Sequence, residues 1–170
     1  MNDLGLWDFS VRFYERDGIA AHCLAWQDQC GVDVTVLLLA AWAASRRQEL
    51  RIGDLSFAGE EIAPWRNEIV EPLRTMRRRL KRDPSPGTPA EIAGVRSLIK
   101  AAELEAERVA LAVLERLCPR NDRTDVRSVA QIAATNIGNV RKYFSAVSAS
   151  DTADSQIFID AIIELQSKTT

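Results

Sequence analysis

Val34-Thr35-Val36-Leu37-Leu38-Leu39-Ala40-Ala41-Trp42-Ala43-Ala44-Ser45 is the stretch on which the fold turns. It shows no polar-apolar alternation, and from residue 34 to about residue 47 it is apolar almost all the way round a helix. A helix with no wet face has to be enclosed by other elements, so this one is expected at the centre of the molecule. Asp33, just before it, can cap its first turn, and Ser45-Arg46-Arg47 return the chain to solvent. Its unbroken apolar run, residues 36–44, is about half of what a bilayer-spanning helix needs.

Outward from this segment, apolar residues recur at helical spacing and strand signals are nearly absent, which predicts an all-α fold. Upstream, a first helix spans residues 6–14 and stops near Asp17-Gly18. A second spans 19–29 and places Ile19, Ala20, Cys23, Leu24 and Gln27 on one side. Downstream, residues 50–58, with Gly53 and Gly59, read as an irregular connection. A fourth helix is expected over 60–82, with Pro64 in its first turn, Pro72 kinking its middle, and Ile62, Trp65, Ile69, Leu73, Met76 and Leu80 inward. Asp83-Pro84-Ser85-Pro86-Gly87 is a stiff turn, after which Thr88-Pro89-Ala90-Glu91 forms a capping box with proline in the first turn.

The helix that follows carries Ile92, Val95, Ile99, Ala102, Ala106, Val109 and Val113 in steps of three and four, a spacing suited to pairing with its predecessor as an antiparallel hairpin over 60–117. After a break at Cys118-Pro119-Arg120-Asn121-Asp122, two more helices are expected, over 126–147 and 154–166. The organisation is therefore a helical core, 1–120, and a C-terminal helical extension, 121–170, that packs on the core or on a partner subunit. A homo-oligomer through these last helices is one expectation, because two amphipathic helices must bury an apolar face somewhere.

With 170 residues, 46% hydrophobic and 27% charged, the chain has the composition of one ordinary globular domain. Its three cysteines are too few for a disulfide framework, and its amino terminus lacks a basic segment followed by an apolar one, so a cytoplasmic protein without a membrane span is expected. The net charge of −2 hides an uneven spread. Residues 1–61 carry five Lys or Arg against ten Asp or Glu, residues 62–100 nine against four, and residues 101–170 eight against ten.

The basic island centres on Arg74, Arg77, Arg78, Arg79, Lys81 and Arg82. On an uninterrupted helix, Arg74, Arg78, Lys81 and Arg82 face outward, while Arg77 and Arg79 flank the apolar stripe. Glu103, Glu105 and Glu107 on the next helix offer partners, as do Glu68 and Glu71 nearby. Arg74, Arg77, Arg78, Lys81 and Arg82 are the candidate contacts for an acidic protein partner or an anionic ligand. No aromatic residues interleave the run, so a single-strand stacking platform is not expected. A nucleic-acid role is weakened further by the acidic ends. Residues 129–144 resemble the helix-turn-helix of TetR-type regulators, but the interval from Ile-Ala to Tyr-Phe is about three residues too short, and one continuous helix accounts for the pattern more economically.

Chemistry leaves few traces. His22 is the sole histidine, Cys23 and Cys30 lie too far apart along a helix to share a metal, and no glycine-rich phosphate loop occurs. Neither catalytic residues, metal ligands nor a cofactor are assigned. The alternative to an interaction module is a small-ligand binder or enzyme whose pocket is lined by Trp7, Trp42 and Trp65, together with Trp26, and bordered by Asp28 and Asp33.

Trp7-Asp8-Phe9-Ser10, Cys23-Leu24 with Gln27-Asp28, Gly31-Val32-Asp33-Val34, Pro72-Leu73-Arg74 and Arg77-Arg78 with Leu80-Lys81 together resemble a bacterial family of small helical proteins known as a domain of unknown function. The resemblance covers roughly residues 6–117. It implies a compact helical fold in the bacterial cytoplasm and no particular reaction.

Overall fold

Residues 36–44 of the quoted stretch are all buried, and the remaining helices are arranged around them. The structure, a computed structural model, describes residues 4–82, 87–119, 127–145 and 155–167. Among these residues every regular element is a helix, so the all-α class stands. In chain order the elements are α1 (Leu6–Tyr14), α2 (Ile19–Cys30), α3 (Val34–Ser45), α4 (Ile52–Trp65), a π segment (Arg66–Val70), α5 (Glu71–Arg82), α6 (Pro89–Leu117), α7 (Val129–Ser145) and α8 (Ser155–Ser167). The proline-rich turn at 83–86, the breaks at 120–122 and 148–151, and both ends of the helix expected over 126–147 lie outside the described residues.

α3 starts where its cap predicts: Asp33 Oδ1 accepts from the Thr35 N–H at 2.9 Å and from its hydroxyl at 2.7 Å. α2 ends on Gly31 at φ 65°, a left-handed residue that a side chain would strain. The buried side of α2 is Ile19, Cys23 and Trp26, not the Leu24 side, because Trp26 packs edge-on against Phe158 of α8 at 4.8 Å. Leu24 is exposed.

α7 and α8 close the core over α3. Ile132, Ala133, Ile137 and Val140 of α7, with Phe158 and Ile162 of α8, are fully buried in the same cluster as α3. Their apolar faces therefore meet this chain's own core, and an oligomer through these two helices has little apolar surface left to use. One polar residue stands in the seam. Asn136 accepts from the Leu50 N–H at 2.9 Å and donates to the carbonyls of Ala40 at 3.0 Å and Gln48 at 2.9 Å. It thus supplies partners to the non-helical link between α3 and α4. α7 is one unbroken helix, without the turn a helix-turn-helix requires.

The largest departure from expectation is in 50–82. The segment 52–58 is the start of α4, not an irregular connection; Asp54 accepts the Arg51 N–H at 2.8 Å and caps it. Pro64 consequently sits inside a helix rather than in its first turn. The helix continues through the π segment, where the Glu71 N–H bonds to the Arg66 carbonyl five residues back, immediately before Pro72. Pro72 has no N–H to give and its ring crowds the carbonyl four residues earlier, and widening the turn relieves both conflicts.

Candidate functional site

α5 and α6 run antiparallel and are tied by charge more than by apolar packing. No residue of α5 is fully buried. Arg74 lies at the centre: its Nη1 donates to Glu71 at 2.7 Å, its Nη2 to Glu107 at 2.8 Å and its Nε to Glu103 at 3.3 Å. Arg77 donates to Glu103 through Nε and, at 3.1 Å, through Nη2. The side chain of Arg74 is 17% exposed and that of Glu103 8%. The expectation that Arg74 faces solvent is therefore corrected, and Arg77 is likewise occupied within the chain.

Three carboxylates meet two guanidinium groups here, leaving one negative charge in excess. Burial pushes the Glu107 carboxyl above its ordinary range, against the pull of Arg74. Burial acts on Glu103 too, but its hydrogen bond and charge pairing with Arg77 and Arg74 outweigh it and hold that carboxyl below the ordinary range. Of these two carboxyls, Glu107 is therefore the one that takes up a proton more readily.

Beside this cluster a groove of about 1050 Å³ opens between the hairpin and the body. Its floor is apolar, with Val32, Leu38, Ile62 and Leu111, all buried, and Trp7 and Tyr14 on the wall. Asp33 borders it, although its carboxylate is held by Thr35 and by Arg66 of the π segment. Burial raises the Tyr14 hydroxyl and pushes the Cys23 thiol beside it up to about 11; burial also takes the Cys118 thiol up to about 12. Both thiols stay protonated at neutral pH, a state in which sulfur is a poor nucleophile. Among the described residues no cluster of His, Cys, Asp and Glu is placed to hold a metal ion, and no helix is long and apolar enough to cross a membrane.

Of the residues expected to line a tryptophan pocket, only Trp7 and Asp33 do so. Trp42 is in the core with its indole N–H on the Leu4 carbonyl at 2.8 Å, and Trp65 donates to the Ala106 carbonyl at 2.9 Å. Trp26 is buried against Phe158, and Asp28 is exposed elsewhere on α2. His22 bonds through Nδ1 to the Gly18 carbonyl at 2.8 Å. Glu71 and Leu104 on the hairpin and Tyr143 at the end of α7 also line the groove, a placement that no spacing along the sequence predicts.

Farther out, Arg78, Arg79, Lys81 and Arg82 are exposed, and among the described residues none meets a carboxylate. Exposed apolar side chains accompany them: Met76 on α5, and Val95 and Leu98 on α6, the last 74% exposed.

Neither the curated proteins nor the solved structures contain a match to this chain. The model of the family described as a protein of unknown function (DUF2390) matches residues 5–114, which takes in α1 to all but the last residues of α6, and the chain belongs to that family.

Proposed function

We propose that the protein is a non-enzymatic interaction module whose distal hairpin docks an acidic protein partner. The observation that carries this reading is a set of four exposed cations, Arg78, Arg79, Lys81 and Arg82, which meet no carboxylate among the described residues, on a hairpin that also exposes Met76 and Leu98. An exposed ion pair within the chain would contribute little and leave nothing to recruit with; unpaired cations beside apolar surface provide both steering and a contact that water does not satisfy. A bacterial, cytoplasmic setting belongs to the same proposal and is supported by the three free cysteines. Reversing Arg78, Arg79, Lys81 and Arg82 to glutamate is expected to abolish salt-sensitive capture of an acidic protein from an extract of the source organism, with the helical circular dichroism unchanged. Undiminished capture by the reversed variant removes the proposal.

The groove favours a second reading, capture of an amphipathic organic cation, with an alkyl body on Val32, Leu38 and Ile62 and an ammonium against Glu107. The excess carboxylate supplies the charge and the apolar floor the affinity. Alkylammonium ions of increasing chain length are expected to raise the thermal midpoint of the wild-type protein progressively and that of Glu107→Gln far less. A midpoint indifferent to chain length rules this reading out.

A further inference from the structure

Both helices of the hairpin carry an apolar stripe on the side away from the groove. On α5, Arg74 and Arg77 point at α6, and Glu71 and Arg78 border the groove. Ile69, Leu73, Met76 and Leu80, spaced by four, three and four, fall on the opposite flank, and none of them lines the groove. On α6, Glu103 meets α5 while Leu104 and Leu111 line the groove. Val95, Leu98, Ala102 and Val109, in steps of three, four and seven, lie on the flank opposite. Ile69, Met76, Val95, Leu98 and Val109 are exposed. The two stripes therefore share one dry face on which no other described residue packs, at the spacing by which helices pack against helices.

Charge is graded along the same hairpin. Residues 78–100 carry six Lys or Arg against two Asp or Glu, whereas the end near the body, residues 66–77 with 101–108, carries Glu68, Glu71, Glu103, Glu105 and Glu107 against Arg66, Arg74, Arg77 and Arg108, a sum of −1. We propose that the hairpin's partner is a second copy of this chain, laid antiparallel along this face so that the two hairpins form a four-helix bundle about a two-fold axis. The proposal rests on the reading of the hairpin as a contact surface and names the partner.

Antiparallel pairing follows from the gradient. A parallel arrangement sets basic tip against basic tip, whereas an antiparallel one sets each tip on the other's base, whose charges sum to −1. With the axis passing between Leu73 and Met76, Ile69 stands opposite the second copy's Leu80, and Glu68 opposite its Lys81. Each contact occurs twice, as a two-fold requires. The faces of α7 and α8 are not rivals for this role, because they are buried on α3.

The test uses the purified full chain with no other protein present, its mass measured by light scattering over about a hundredfold range of concentration. The expected mass at low salt is twice the 18.9 kDa of one chain, reverting to one chain on dilution and on adding salt. Met76→Glu with Leu98→Glu is expected to give a monomer of unchanged helicity, since both side chains are exposed. Reversing the tip (Arg79, Lys81 and Arg82 to Glu) or the base (Glu68 and Glu105 to Lys) should each raise the dissociation constant by about tenfold or more. Mixing the two reversed variants should restore a dimer, since each tip then meets an opposite base. A chain monomeric throughout at low salt, or a dimer indifferent to these changes, overturns the proposal. The capture experiment with extract reads the hairpin's contact role separately: a monomer whose hairpin still captures an acidic protein refutes the self-pairing alone.

Discussion

Asn136→Ala is expected to lower the unfolding free energy by about 3–5 kcal/mol, the largest effect of any single substitution considered. The residue is completely buried, and so is Leu50, whose N–H it accepts. Truncation strands that N–H and the Gln48 carbonyl away from water, at about 1–3 kcal/mol for each group, and leaves a small void. Asn136→Asp keeps the acceptor but loses both donated bonds and buries a charge, so it is expected to be at least as damaging. Asn139 offers an internal comparison. It makes one bond, to the Leu50 carbonyl at 2.9 Å, from a half-buried position, and its alanine variant should cost about 1 kcal/mol. Urea midpoints followed by far-ultraviolet circular dichroism decide the matter: equal, small losses at the two positions would mean that the link from α3 to α4 is held by something other than α7.

Arg74→Met is expected to cost about 2–4 kcal/mol at neutral pH, because it removes the cation shared by Glu71, Glu103 and Glu107 while leaving their carboxylates in place. The pH dependence has a definite sign. Glu103 has its folded-state pKa depressed, so its contribution is present above the unfolded-state pKa and is lost as pH falls through the folded value. Glu107 has its folded-state pKa raised, so it disfavours folding at neutral pH, and that penalty disappears as pH falls through its folded value toward the unfolded one. Without Arg74 the first contribution shrinks and the second penalty grows, so the deficit of the variant should be greatest near neutrality and narrow on acidification. Adding Glu107→Gln should recover part of the loss at neutral pH and almost none at low pH. A deficit independent of pH would show that Arg74 acts through the packing of its aliphatic stem instead.

The central helix, its Asp33 cap and the Thr88–Glu91 capping box were legible because each is a local signal: composition in the first case, a side-chain oxygen at a fixed offset in the others. Thr88 accepts from the Glu91 N–H at 3.4 Å and Glu91 from the Thr88 N–H at 2.8 Å. The start of α4 was obscured by Gly53 and Gly59, although Leu55, Ala58 and Ile62 already show the helical period and are buried. The orientation of the arginines was misjudged for a physical reason. A helical wheel assumes one uniform pitch, and the π segment adds a residue to a turn. The inward positions beyond it are Val70, Arg74 and Arg77 rather than Ile69, Leu73 and Met76, a slip of about 100°. Asn136 was passed over within an apolar stripe, where its presence was itself the signal, whereas Glu103 was named as a partner for the basic run and only its burial, in line with Ile99 and Ala106, went unread. The groove was not legible at all, since its walls come from α1, the turn before α3, α4, both arms of the hairpin and the end of α7, and no spacing along the chain brings these together.

The widened turn at Arg66–Val70 has a bearing on how such a chain can diverge. Elsewhere in a long helix, losing one codon turns everything beyond the lesion by about 100° against what precedes it. Here the same loss would return the backbone to ordinary pitch while keeping Val70, Arg74 and Arg77 on the inward side, because the widened turn already absorbs one residue. A single genetic event at this spot would thus leave both the facing of the projecting arm and the enclosed centre of the molecule unchanged, which makes it a natural place for relatives to gain or lose a residue.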